Sequence, residues 1–260
     1  MSLNISFSAY KLVTTPFSWA YDLEDMGFQG WEIVSEARQK ISPETLPEIR
    51  DIINSTKLKI SVHAPFSDLN LAALNDAIWN ETINQIRQCI ELSADFSDRI
   101  VVHPGILSPL GNQMPDKAYQ RNVEGLKILC GHAKEYGVRV CLENMINMDK
   151  MFCRTPHELL GMIEAVDHEC MGMTFDIGHA NTTKTVADFL KQKAHITHIH
   201  AHDNHGVTDE HLEVGTATVN WNMVLKELKE FDGTVVIEAR NIEEGKRGLK
   251  FIRDHEKAHP

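Results

Sequence analysis

The sequence predicts an α/β fold, a single closed (β/α)₈ or TIM barrel, and three observations lead there. The chain has 260 residues, the usual size of one eight-stranded barrel. Short β-rich runs alternate with longer amphipathic stretches along its whole length. Six successive β-rich runs also end on a histidine, glutamate or aspartate.

The strand candidates are Leu3–Ser8, Gly30–Val34, Leu58–His63, Arg99–His103, Val138–Glu143, Met171–Asp176, Ile196–His200 and Thr234–Glu238. The helical stretches between them carry start and stop signals. Thr15-Pro16 and Ser42-Pro43 each offer an N-cap followed by proline at the first helical position. Asn75 to Asp95 is a long amphipathic stretch whose Ile78, Ile83, Ile86 and Ile90, with Trp79, read as a core-facing stripe. Pro115-Asp116 opens a fourth helix that ends near Tyr136-Gly137, where the glycine serves as a C-cap. Thr155-Pro156-His157-Glu158 opens a fifth, Thr185 to Lys193 forms a sixth, and Trp221 to Phe231 and Ile242 to His255 supply the last two. Eight strands alternating with helices fit a closed parallel barrel better than an open sheet. The doubly wound nucleotide fold lacks its GxGxxG turn here, and Glu244-Gly245-Lys246-Arg247 is no phosphate loop. No linker or low-complexity stretch divides the chain, so residues 1–260 are expected to form one domain.

Composition narrows the function. Hydrophobic residues make up 42% and charged residues 24% of the chain, ordinary values for a water-soluble domain. The apolar runs are strand-sized, too short to span a bilayer. The first residues lack a basic stretch followed by an apolar one, so a cytoplasmic location is expected. The five cysteines form no CxxC pair, which agrees with a reducing compartment and argues against a thiolate zinc site. A formal charge of -11 disfavours broad binding to a phosphate backbone.

The strand ends carry the chemistry. They close on His63, His103, Glu143, Asp176, His200 and Glu238, spaced 40, 40, 33, 24 and 38 residues apart. That is the rhythm of βα units, and a barrel gathers such ends on one face around its axis. A single histidine there has a plain reading as a hydrogen-bonded core residue, and Glu143 or Glu238 alone as half of an ion pair. Six together would strand buried charge unless a cation sat among them. Donors of His, Asp and Glu without thiolate suit zinc, manganese or iron, with magnesium also compatible. His179 follows Asp176 by three residues, and Asp209 and His211 lie in the long segment after the seventh strand, where barrel loops usually serve function. His198 faces the same way as His200 one layer deeper and reads as a core histidine. His157-Glu158-Leu159-Leu160-Gly161 starts like a zinc-protease motif, but Gly161 stands where the second histidine belongs.

Taken together, His63-Ala64-Pro65, His103-Pro104-Gly105, Leu142-Glu143-Asn144, Asp176-Ile177-Gly178-His179, His200-Ala201-His202-Asp203, Asp209-Glu210-His211 and Glu238 resemble the xylose-isomerase-like barrel superfamily, which includes endonuclease IV and many sugar isomerases and epimerases. The resemblance runs from Phe28-Gln29-Gly30-Trp31-Glu32 to Glu238. It implies one metal at Glu143, Asp176, His200 and Glu238 in the isomerases and epimerases. In the endonuclease-IV-like members it implies two more, at His63 and His103 with Glu143 bridging, and at His179, Asp209 and His211. All nine positions carry a suitable ligand, so one to three divalent metals per chain are expected.

Two activities follow. The first expectation is hydrolysis of a phosphoester, with Glu143, Asp176 and Glu238 at the catalytic centre and Arg240, His202 and Glu32 touching a small phosphorylated substrate. For Arg240 and Glu32 a simple ion pair is the competing reading. The alternative is a sugar or sugar-phosphate isomerase or epimerase with one metal, in which Glu143 and Glu238 flank a carbon and shuttle its proton. Duplex DNA is disfavoured as a substrate, because the loops 64–74, 104–116 and 201–219 contain no Lys or Arg. A third reading is a non-catalytic metal- or sugar-binding barrel. Trp19, Phe66 and Trp221 are candidates to line the mouth.

Overall fold

The computed structural model describes residues 2–9, 15 and 17–259. Eight parallel strands close in sequence order: β1 (Asn4–Ser8), β2 (Gly30–Val34), β3 (Lys59–His63), β4 (Arg99–Val102), β5 (Arg139–Glu143), β6 (Met171–Asp176), β7 (Ile196–Ala201) and β8 (Thr234–Glu238). β8 returns to β1 in register, with Ile5 opposite Val235 and Ser8 opposite Glu238. These strands differ from the sequence expectation by a residue or so at their ends. His103 is the one case that touches the site, since β4 stops at Val102 and leaves His103 in the first loop position.

The outer helices are α1 (Leu46–Ser55), α2 (Asp76–Ser93), α3 (Pro115–Glu135), α4 (Pro156–Val166), α5 (Ile177–Thr183), α6 (Val186–Leu190), α7 (Trp221–Glu227) and α8 (Ile242–Ala258). Short polar side chains start several of them by accepting free N–H groups of the first turn. Asn75 accepts from Ala77 and Ile78, Thr155 from Glu158, Asn220 from Met223 and Asn241 from Glu244. Three helical expectations need correction. Ser42-Pro43 forms a turn, and α1 begins later at Leu46, where Pro47 takes the early helical position. Ile78 is 45% exposed, so the buried stripe of α2 runs through Trp79, Ile83, Ile86 and Ile90. The segment after β6 holds two short helices instead of one, because the chain turns into α5 directly at Asp176. Of the expected Thr15-Pro16 helix start, Pro16 lies outside the described residues. Phe17–Asp22 forms a 3-10 helix.

One continuous apolar core fills the space between strands and helices, including Phe7, Trp31, Ile49, Ile90, Leu126, Phe175, Phe189 and Ile252. Alternate strand residues face the axis instead. Glu32, Ser61 and His198 meet in a lower tier, and Glu143, His200 and Glu238 sit above them. Among the described residues no helix is long and apolar enough to cross a membrane.

Candidate metal centre at the barrel mouth

Three groups of donors meet where the strands end. In the first, His63 closes β3 and its Nδ1–H is directed at the carbonyl of Ala64 at 2.8 Å. That bond leaves the Nε2 lone pair facing the axis. Nε2 of His103 lies 3.1 Å away, and Glu143 Oε2 lies 3.5 Å from the first nitrogen and 3.0 Å from the second. Phe66 packs on both rings, with centroids at 5.1 and 4.7 Å.

The second group surrounds His200. Its Nδ1 is 2.8 Å from Glu143 Oε1, 3.5 Å from Glu238 Oε1 and 3.8 Å from Asp176 Oδ2. Three carboxylates from three strands thus converge on one imidazole nitrogen. Asp176 is held rigidly, because its Oδ1 caps α5 by accepting from the His179 N–H at 2.6 Å. Asn144 braces the same turn through both ends of its amide. Its Oδ1 accepts from the Asp176 N–H at 2.7 Å, and its Nδ2 donates to the Asp176 carbonyl at 2.9 Å.

The third group is His179, His202, Asp209 and His211. His179 Nδ1 is tied to the Asn144 carbonyl at 2.8 Å, which turns its Nε2 toward Asp209 Oδ2 at 3.4 Å. Asp209 Oδ2 is also 3.0 Å from His211 Nε2. His202 stacks on His211 at 4.1 Å and reaches Asp176 Oδ1 at 3.2 Å. His211 adopts a left-handed backbone, φ 48°, a conformation that costs a non-glycine residue energy and clusters at functional sites.

The loop carrying Asp209 and His211 hangs on Asp203, which is fully buried. Its carboxylate accepts from the N–H groups of Asn204, Ala217 and Val219 and from the indole of Trp221. Asp203 and Asn144 are the structural residues to which sequence reasoning gave no role, although Asn144 follows the ligand candidate Glu143 and Asp203 follows the expected substrate contact His202. Each acts through several bonds to backbone groups, which leave no signature in spacing.

The electrostatics fit a cation. Asp176 Oδ2 and Asp209 Oδ1 are buried and accept no hydrogen bond, a costly state for carboxylate oxygens in a dry site. Burial pushes the Glu143 carboxyl up, but the imidazoles of His200 and His103 outweigh it and hold Glu143 well below the usual range. For His200 burial lowers the pKa, while Glu238, Glu32 and Glu143 together raise it well above the ordinary value. Burial dominates at Glu238 and raises it to about 7. Oxygen and imidazole donors in this mixture suit a hard or borderline divalent ion, and such an ion would take the place of the protons now shared among them.

A chamber of about 190 Å³ opens above, lined by Val34, His63, Phe66, His103, Glu143, His179, Asp209, His211 and Glu238. Phe66 therefore lies at the mouth as expected. Trp221 is instead buried beneath the Asp203 loop, and Trp19 packs on Phe7 and Trp31. All nine expected metal-ligand positions fall within the three donor groups.

The expected substrate contacts fare differently. Glu32 is fully buried below His200, where it pairs with His198 and accepts from Ser61, so it lies out of reach of the chamber. His198 is the core histidine that its depth suggested. Arg240 makes a two-pronged ion pair with Glu244, Nε to Oε2 at 2.9 Å and Nη2 to Oε1 at 2.7 Å, and is absent from the chamber wall. His202 is wholly buried and joins the third donor group instead of facing a substrate.

A family described as xylose isomerase-like TIM barrel matches residues 20–255. An uncharacterized protein of Methanocaldococcus jannaschii, MJ1311, is 35% identical over 97% of this chain and 90% of its own. A solved structure described as a D-tagatose 3-epimerase-like protein is 33% identical, with a TM-score of 0.92 over 98% of both chains. D-psicose 3-epimerase, solved in the presence of D-fructose, shares the fold at 16% identity and a TM-score of 0.81, covering 97% of this chain and 99% of its own. The 33%-identical neighbour overturns the expectation of phosphoester hydrolysis and favours the sugar isomerase or epimerase alternative. The physical reason for the misreading is that the ligand types alone do not distinguish a multi-metal hydrolytic site from a one-metal site with histidines left to bind substrate. With the family spanning residues 20–255 and a relative 35% identical along nearly its whole length, the chain belongs to the xylose isomerase-like TIM barrels.

Proposed function

We propose that the protein is a divalent-metal-dependent epimerase or isomerase of a small sugar, acting by proton transfer at a carbon next to a carbonyl. The observation that carries this reading is the convergence of Glu143, Asp176 and Glu238 on His200 Nδ1 within 3.8 Å. Four ligands from four strands would hold one ion there, and the description of the 33%-identical neighbour supports the same class of reaction.

Bound to those four side chains, the metal would supply Lewis-acid polarisation of the substrate carbonyl and its neighbouring hydroxyl. The chain's own residues do the rest. Glu143 and Glu238 stand on either side of His200 Nδ1, with carboxylate oxygens 2.8 and 3.5 Å from it. Two carboxylates placed in this way suit a pair that takes the carbon-bound proton and returns one. His63, His103, His179 and His211 would bind sugar oxygens around them. Among the described residues lining the chamber there is no Lys or Arg, which favours an uncharged sugar over a sugar phosphate.

The test is a panel of ketoses, aldoses and their phosphates incubated with the Mn²⁺-loaded protein in D₂O. Interconversion with deuterium incorporated at one carbon is the expected result. Turnover of phosphodiesters with no change to any sugar would overturn the proposal, as would a metal-loaded protein inert toward the whole panel.

A further inference from the structure

Beneath the proposed metal site lies a tier of ionisable groups that the proton-transfer reaction does not touch. Glu32 on β2 has no solvent exposure. Its Oε2 is 2.6 Å from His198 Nε2 and accepts from Ser61 Oγ at 2.8 Å, while its Oε1 lies 2.9 Å from His200 Nε2. The opposite edge of the same His200 ring presents Nδ1 to Glu143. One imidazole therefore spans the distance from the buried carboxylate to the mouth.

A barrel interior at this depth is ordinarily packed with apolar side chains, and a buried carboxylate is costly even when paired. The tier therefore needs a reason. Glu32, His198 and His200 lie close enough together to hold an ion of their own. The direct 2.6 Å bond between Glu32 and His198 leaves no room for one, however, and none of the three has any exposure through which it could enter.

We infer that Glu32 is a positioning residue, which grips the Nε2 edge of His200 and so aims Nδ1 at Glu143, Asp176 and Glu238 as a metal ligand. The inference rests on the reading of the mouth as a metal site. A histidine that ligates through one nitrogen is oriented, and made a better donor, by a carboxylate on its other nitrogen. Here His198 Nε2 and Ser61 Oγ both bond Glu32 Oε2, which holds the carboxylate in place with Oε1 facing His200 Nε2 at 2.9 Å. Removing the carboxylate frees the ring to rotate and takes away the charge that favours Nε2–H over Nδ1–H.

The experiment measures Mn²⁺ affinity by competition with a chelator, and the visible spectrum of the Co²⁺-loaded protein, for wild type and Glu32→Gln. Both are full-length proteins matched for folding by circular dichroism. The expected result is binding weaker by about 10–100-fold, an altered Co²⁺ spectrum, and a sugar KM little changed once metal is saturating. Ser61→Ala deletes only the hydroxyl that fixes Glu32, and should weaken binding in the same direction by less; it carries the test if Glu32→Gln fails to fold. A folded Glu32→Gln with wild-type affinity and spectrum overturns the positioning role, even if its melting temperature falls, and leaves the proposed function standing. A wild-type protein that binds no Mn²⁺ overturns both.

Discussion

The indole Nε1 of Trp221 donates to Asp203 Oδ2 at 2.8 Å, deep under the loop that carries Asp209 and His211. Three backbone N–H groups, of Asn204, Ala217 and Val219, complete the ring of donors around the same carboxylate. Asp203→Ala leaves four donors without their acceptor. The expected cost is on the order of 3 kcal/mol, read as a lower urea midpoint, with new protease cuts between residues 204 and 220. A variant as stable and as protease-resistant as wild type would show that the loop holds itself.

Gly178 stands where the third and second donor groups meet. A Cβ there would fall 1.9 Å from His202 Cε1 and 2.4 Å from both ring nitrogens. Replacing glycine by alanine in a helix ordinarily stabilises by about 1 kcal/mol. In α5 the sign should reverse, to a loss of roughly 1–3 kcal/mol, because His202 is wedged between Asp176 and Asp209 and has nowhere to retreat. Thermal melts of Gly178→Ala and of the double variant Gly178→Ala/His202→Ala check this. The second substitution should recover much of what the first loses, and independent, additive losses would show that the clash is relieved elsewhere.

The barrel was legible because strand, helix and strand-end residues repeat in the sequence itself. Six of the nine ligand candidates close strands, whose ends a parallel barrel must collect at one mouth; His179, Asp209 and His211 come from the segments that follow the sixth and seventh strands. Glu32 and Arg240 were misplaced for a different reason. A glutamate in the middle of β2 has the same sequence appearance whether it points at a substrate or at His198, and only the tier it occupies tells them apart. Arg240 follows Glu238 by two residues, but Glu244 lies one helical turn further on and claims it. The reaction was misread because nine suitable ligands do not reveal how many are filled by metal.

Glu238 provides a pH test on the metal-stripped protein. Burial raises its carboxyl from the ordinary 4.5 to about 7, so between those values the folded state holds a proton that the unfolded chain has released. Stability from this group is complete below about pH 4.5 and is lost as the pH climbs toward 7. Other buried carboxylates pull the opposite way, so the informative quantity is the difference between wild type and Glu238→Gln. Relative to the variant, wild type should lose on the order of 3 kcal/mol across that window, followed by urea melts at several pH values. A constant difference would show that Glu238 is ionised throughout.

The number of metals separates the roles of the three donor groups. Around His200 Nδ1 three carboxylates converge within 3.8 Å, a donor set that one divalent cation would satisfy in place of the protons they now share. The histidines of the other two groups can instead be satisfied by sugar oxygens. Elemental analysis of untagged protein should therefore give about one divalent metal per chain, as a one-metal Lewis-acid site requires. Glu143→Gln should lower that occupancy and reduce kcat by roughly 10²–10⁴-fold, the range for loss of a proton-transfer group. His179→Ala and His211→Ala should leave the occupancy at one and raise KM for the sugar, since they would remove hydrogen bonds to substrate and no ligand of the central ion. Two or three metals in wild type, falling by one in each histidine variant, would assign those histidines to metal binding and require a different division of labour at the mouth.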